Sequence, residues 1–316
     1  MGEKRAERKM SDTAMNNYLM KDMMESDLGI VRMSAADFPT LAHEDGDFRN
    51  ARGRRVAYHV YSVPGRTHGG TVLFLPGVGP GHIDYLSEID ALCRHGMRVL
   101  TVDYSGTRCA DGEGLDGVYG PAADVLELIA RLPEEEPLRL VGHSLGGFTG
   151  LCVLAHTPRI RRAVLLAPFV SYAWYLSRFD GQDTAAFEAY ERAVYPELSG
   201  TDTVGYLAAT DADILLIQST DDHMIPFDCA VGRVMREIEN PHLTFEVKEG
   251  RKHNPNYCDA VLADAGRMFA LAGAKIAAGE LNTPEKRRAF FAGYTMKDLT
   301  RQDEEMADRI AAFLNA

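Results

Sequence analysis

Ser144 stands between two glycines at the pitch a strained turn requires. The run from Leu138 reads Leu-Arg-Leu-Val-Gly-His-Ser-Leu-Gly-Gly-Phe-Thr-Gly-Leu. It starts as an apolar strand, passes through Gly142-His143-Ser144-Leu145-Gly146, and leaves as a helix faced with small residues. A sharp turn at the serine requires that the residues two before and two after it lack side chains, and Gly142 and Gly146 meet that need. Such a nucleophile elbow aims the serine hydroxyl out of a sheet. Gly147 and Gly150 let the following helix lie close on the strand that feeds it. The pattern is short, and a plain strand-turn-helix fits the same letters, so its chemistry depends on what else the chain supplies.

A serine hydroxyl attacks poorly until a base takes its proton, and the base needs an acid to hold it in the right tautomer. In a strand order like this one the three follow as serine, acid, histidine. The acid is expected after the strand Asp213-Ile-Leu-Leu-Ile-Gln218, in Ser219-Thr-Asp-Asp-His-Met-Ile-Pro226. Asp222 is preferred over Asp221 because it sits four residues before the proline that ends the loop, which leaves Asp221 to cap the turn. The base is expected after the last strand, in Glu249-Gly-Arg-Lys-His253. The chain has 10 histidines, and position rather than type selects His253. His143 is expected to face another way and support the elbow; His223 lies too close to the acid to pair with it. An oxyanion needs backbone N–H donors, one from the residue after the nucleophile, Leu145, and one from the turn Pro76-Gly77-Val78-Gly79-Pro80-Gly81, where Val78 is the candidate. The chemistry that this set could perform is acyl transfer from an ester, amide or thioester, through an acyl-enzyme that water resolves.

The elements that position these residues alternate. Two strands joined around Gly53 are expected between Asp47 and Val63, then a buried strand Thr71–Leu75, and a helix carrying Ile83, Leu86, Ile89 and Leu92. The strand Arg98–Asp103, a helix at Ala122–Arg131, the elbow strand and the strand Arg162–Ala167 continue the rhythm. It breaks at 171–211, an aromatic-rich helical segment, and resumes with the acid strand, a helix around Cys229–Ile238 and a last strand at Leu243–Val247. Alternation of this kind predicts an α/β fold with a mostly parallel sheet and helices on both faces. An amphipathic helix with Met15, Tyr18, Leu19 and Met23 on one face is expected at 12–25, either as an arm on the body or as a lid or partner contact.

Composition narrows the classes. With 316 residues, 46% hydrophobic and 25% charged, the chain can bury a full core. A net charge of -12 argues against nucleic acid and anionic membrane surfaces. The cysteines Cys93, Cys109, Cys152, Cys229 and Cys258 are odd in number and lack C-x-x-C spacing. They are read as reduced thiols of a cytoplasmic protein. No cysteine and histidine run has zinc-ligand spacing, so neither metal nor cofactor is expected. No membrane-spanning run and no signal peptide is found.

With elbow, acid loop, histidine loop and oxyanion turn in order, the chain resembles the α/β-hydrolase superfamily, in particular its serine esterase, monoglyceride-lipase and serine-aminopeptidase-like members. The resemblance covers about residues 47 to 260 and the final helix, and rests most on Gly-His-Ser-Leu-Gly-Gly and Asp-x-x-x-Pro. It implies an eight-stranded, mostly parallel sheet with a small helical cap at 171–211, nucleophile Ser144, acid Asp222, base His253 and oxyanion donors Leu145 and Val78. Two departures stand out. Many members carry His-Gly where this chain has Pro76-Gly77. The final helix also arrives late, at 303–314, so 254–300 reads as a helical insertion that covers the site, forms a homodimer contact or simply flanks the body. Residues 1–46 read as an N-terminal arm.

Tyr172, Trp174, Tyr175, Phe179, Phe187 and Tyr190 give the cap an aromatic character. Of these Trp174 and Tyr175, with Met224 beside the acid, are the expected pocket residues. Arg178 and Arg108 could meet an acidic group. The leading expectation is a carboxylesterase for a small or medium apolar ester. A peptidase or amidase with the same triad is the rival and would need an amine site, for which Glu188 and Glu191 are candidates. A noncatalytic ligand-binding or scaffolding relative is the alternative from another class.

Overall fold

A computed structural model describes residues 30–66, 70–79, 81–178 and 184–316. The helix expected at 12–25 lies outside them, as does Phe179.

Eight strands form one sheet in the order β1-β2-β4-β3-β5-β6-β7-β8. They are β1 Ala42–Arg49, β2 Arg55–Ser62, β3 Thr71–Leu75, β4 Arg98–Asp103, β5 Leu138–His143, β6 Ile160–Leu166, β7 Asp213–Ser219 and β8 Leu243–Lys248. β2 pairs antiparallel with β1 and β4, and every other pairing is parallel. The sheet begins at Ala42, ahead of the expected Asp47. The helices are α1 Leu86–Arg94, α2 Gly120–Ile129, α3 Leu145–His156, α4 Tyr172–Ser177, α5 Ala185–Val194, α6 Thr203–Ala209, α7 Val231–Glu237, α8 Asp259–Ala277, α9 Pro284–Phe291, α10 Met296–Leu299 and α11 Glu304–Asn315.

The central strands are apolar along their whole length because helices cover both faces. Alternate residues supply two cores. Leu73, Leu75, Leu140 and Leu216 pack with α2, α3 and α7, while Val72, Phe74, Val141 and Leu215 pack with α1 and α11. Strand period two therefore sends each pair of neighbours to opposite layers. A satellite core of Met268, Ala272, Leu281 and Phe291 joins α8 and α9 to Ile30.

The segment between His253 and α11 returns to where it left. Cys258 N–H donates to Arg301 O at 3.1 Å, Asp303 N–H donates to Asn256 O at 2.8 Å, and Tyr257 bridges Gln302. The ends of the segment are thus zipped together, and α11 follows the histidine loop in space although not in sequence. Among the described residues no helix is long and apolar enough to cross a membrane.

Candidate active site

The turn from β5 into α3 explains its own glycines. A Cβ on Gly146 would lie 1.9 Å from Leu75 O, and one on Gly142 would lie 2.3 Å from Gly146 O. Ser144 adopts φ 55 and ψ -116, a conformation that a non-glycine residue occupies only when its surroundings hold it there. Gly150 abuts Leu140 of the feeding strand, as expected, but Gly147 abuts Pro168 beyond β6 instead.

Ser144 Oγ lies 2.9 Å from His253 Nε2, and His253 Nδ1 lies 2.9 Å from Asp222 Oδ2 and 3.1 Å from Oδ1. Three loops converge here, after β5, β7 and β8. Asp222 is buried, and its Oδ1 accepts from Met224 N–H at 2.9 Å and Ile225 N–H at 3.0 Å. Burial works to raise its pKa, but the hydrogen bond from His253 and the loop donors outweigh it, so the carboxyl is held below the usual range. Asp221 instead accepts from Ser219 Oγ at 2.5 Å and from Lys252 N–H at 3.1 Å, and its ion pair with Lys252 Nζ spans 2.7 Å. That is the turn-capping part expected of it. His223 is exposed.

Leu145 is the first residue of α3, so its N–H precedes every acceptor within the helix. The turn after β3 abuts the serine, since a Cβ on Gly77 would lie 3.2 Å from Ser144 Cβ. Tyr85 and Tyr104, rather than a histidine, orient that turn. Tyr85 Oη accepts from Gly77 N–H at 2.9 Å, and Tyr104 O–H donates to Pro76 O at 3.0 Å.

The sequence model described as the alpha/beta hydrolase family matches residues 72–209, the stretch from β3 through the elbow to α6. Among solved structures, the Pyrococcus furiosus esterase Pf2001 superposes with a TM-score of 0.55 at 15% identity, covering 79% of this chain and 96% of that one. The esterase domain of a Rhodothermus marinus protein superposes at 0.51 and 18%, covering 74% and 97%. The chain has the α/β-hydrolase fold, and its stretch 72–209 is similar to that family. Similarity to curated relatives is partial. The protein named "Putative carbamate hydrolase RutD" from Agrobacterium fabrum is 37% identical over 111 residues, 34% of this chain and 42% of that protein. Its Rhizobium rhizogenes namesake is 32% identical over 98 residues, 30% and 37%. The match thus spans about two-fifths of those relatives' length.

Within this α/β-hydrolase frame, two residues act around the convergence that sequence reading assigned otherwise or missed. His143 does not merely brace the elbow, because its Nε2 lies 3.0 Å from His253 O. Gln218 is buried at the end of β7, donates to Asp222 Oδ2 at 3.1 Å and accepts from Val231 N–H at 3.1 Å. Its signal was a polar residue closing an otherwise apolar strand.

Trp174, Tyr175 and Met224 are half-buried and pack on the core. Tyr175 stacks on Phe169 with centroids 5.5 Å apart. Arg178 donates to Met224 O at 2.9 Å and lies 5.5 Å from the Trp174 ring, so it fastens α4 to the acid loop. Glu191 is fully buried and accepts from Val118 N–H at 2.5 Å and Tyr119 N–H at the start of α2. Glu188 pairs with Arg192 at 3.0 Å. The two glutamates therefore form no amine site together.

His59, His82 and Asp103 bring one ligand-type atom each within 4.8 Å, a cluster that linear spacing did not show. Their atoms already bond one another. Asp103 Oδ2 lies 3.0 Å from His59 Nε2 and 2.8 Å from His82 Nδ1, while His59 Nδ1 lies 2.6 Å from Asp45. The two rings stack at 3.6 Å, and a nitrogen of each contacts the same Asp103 oxygen.

Proposed function

We propose that this chain is a serine hydrolase, and specifically a carboxylesterase acting on a small or medium apolar ester. The observation that carries the proposal is the unbroken line from Asp222 through His253 to Ser144, at 2.9 Å for each link. In it Ser144 is the nucleophile. His253 takes the Ser144 proton through Nε2 during attack and returns it to the leaving alcohol. Asp222 holds the Nδ1–H tautomer and stabilises the imidazolium that forms. Leu145 N–H and Val78 N–H receive the oxyanion, the first reinforced by the positive end of α3. Water then resolves the acyl-enzyme by the same base.

We read 171–211 as a cap, 254–300 as a helical insertion and the residues before the sheet as an arm. We assign Trp174, Tyr175 and Met224 to the pocket that receives the apolar acyl or alcohol group of the ester. A segment of 41 residues between β6 and β7 suits modest substrates better than long lipids. Carbamates are the second reading, favoured by the names of the partial relatives, and they use the same acyl transfer.

Rates on p-nitrophenyl acetate, butyrate, octanoate and palmitate, beside a p-nitroanilide and an aryl carbamate, test the proposal. The short and middle esters are expected to turn over fastest, with Ser144→Ala removing the activity. A preference for the carbamate or anilide would contradict the ester assignment.

A further inference from the structure

We propose that His143 is a positioning residue that ties the main chain of the base His253 to the oxyanion turn, through Tyr85 and Gly77. The proposal rests on the reading of Ser144 and His253 given above. Its basis is a hydrogen-bonded chain across three loops. Gly77 N lies 2.9 Å from Tyr85 Oη, Tyr85 Oη lies 3.2 Å from His143 Nδ1, and His143 Nε2 lies 3.0 Å from His253 O.

The two ends fix the direction of every proton. Gly77 N–H can only donate, and the His253 carbonyl can only accept. A neutral imidazole carries one N–H, so His143 bears it on Nε2 and its bare Nδ1 accepts the Tyr85 proton. Tyr85 and His143 are both buried, at 8% and 6% exposure. Burial also drives the His143 pKa down to about 3, so the ring stays neutral and its tautomer holds across the working range.

Two consequences follow for the site. Gly77 N–H is committed to Tyr85, so the donor that this turn can offer an oxyanion is the next one, Val78. His253 follows Lys252, which adopts φ 53 and is held to Asp221 on the side of the acid; the bond from His143 adds a hold on the His253 carbonyl from the side of the elbow. Oxyanion turn, elbow and base loop thereby move as a unit, and hydrogen bonds aligned in one direction strengthen one another.

Paired substitutions separate positioning by these bonds from the filling of space. Asparagine at 143 keeps a polar atom near the Nδ1 position but cannot reach His253 O. Glutamine places its amide nitrogen near Nε2. We expect the rate at which a fluorophosphonate labels Ser144, and kcat on the best ester, to fall about tenfold or more in His143→Asn, as displacement of a reacting group of under 1 Å costs. KM should stay within about twofold, and His143→Gln should recover most of the loss. Tyr85→Phe, which removes one oxygen and keeps the volume, should fall between them and serves if His143→Asn does not fold. Folded variants that label at the wild-type rate, or a glutamine variant no better than asparagine, would overturn the proposal.

Long-range 1H–15N spectra of the His143 ring give a readout independent of catalysis. An Nε2–H tautomer from pH 5 to 8 is expected. An Nδ1–H tautomer or an imidazolium would overturn the relay even in an active enzyme. A wild-type protein unlabelled at Ser144 but showing the expected tautomer would instead defeat the catalytic reading, and the positioning role with it.

Discussion

At the scale of single residues, the acid loop shows how two adjacent carboxylates acquire different work. Asp222 is enclosed and receives two loop N–H groups, Gln218 and His253, while Asp221 faces Lys252 near solvent, where its carboxyl is held down at about 2 despite some burial. Asp222→Asn removes the charge that stabilises the imidazolium and permits the wrong tautomer, so kcat should drop by about 10⁴-fold with the fold intact. Asp221→Asn removes a partly exposed pair, costing under about 1 kcal/mol of stability and leaving kcat within about threefold. Steady-state rates and urea melts of the two variants check both. Equal losses in the two would reject the assignment of the acid.

At the scale of elements, the elbow sets the tolerance. α3 approaches β3 so closely at Gly146 that an added methyl meets the Leu75 carbonyl, backbone against backbone, where neither side can swing away. Gly146→Ala should therefore destabilise the protein by about 1–3 kcal/mol or more, read from the urea midpoint. Gly200→Ala, where a Cβ meets nothing within 4 Å, provides the control. This element was legible in the sequence because the constraint is local: glycine spacing, a strand before and a helix after suffice to predict it. Asp222 and His253 were legible for a related reason, since each follows a strand whose place in the order specifies its end of the sheet. His143 was misread because its partner, His253 O, lies in another loop that nothing local to it names; Gln218 was missed although its polar character near the end of an apolar strand marked it, because its tie to the start of α7 is long-range. The His59–His82–Asp103 cluster escaped for the same reason. Its members come from β2, the turn after β3 and the end of β4.

At the scale of the molecule, the segment after His253 is joined to the body through a buried carboxyl. Glu88 on α1 accepts from Asn256 Nδ2 at 3.3 Å in a small cavity that Gln302, Ala307 and Ile310 also line. Burial pushes its pKa up from 4.5 to about 7. The folded state thus keeps a proton that the unfolded chain releases. The associated stability is full below about pH 4.5 and is lost as pH rises through about 7, by about 3 kcal/mol. Glu88→Gln should flatten that fall, so its urea midpoint relative to wild type should rise between pH 5 and 8. A difference independent of pH would mean that the carboxyl ionises freely. The late final helix expected at 303–314 was legible in the sequence and stands as α11. The zipping of 256–258 to 301–303 was not, because it is made of main-chain bonds that no side-chain pattern announces.

The central claim is that Ser144 is an activated nucleophile, and covalent labelling reads it most directly. Wild-type protein is incubated with a fluorophosphonate, digested, and the modified residue located by mass spectrometry, with His253→Ala and Ser144→Ala beside it. Modification at Ser144 in wild type, slowed by several orders of magnitude in His253→Ala and absent in Ser144→Ala, is the predicted result. Folded wild-type protein that takes up no label at Ser144, or that labels equally well without His253, would contradict the account.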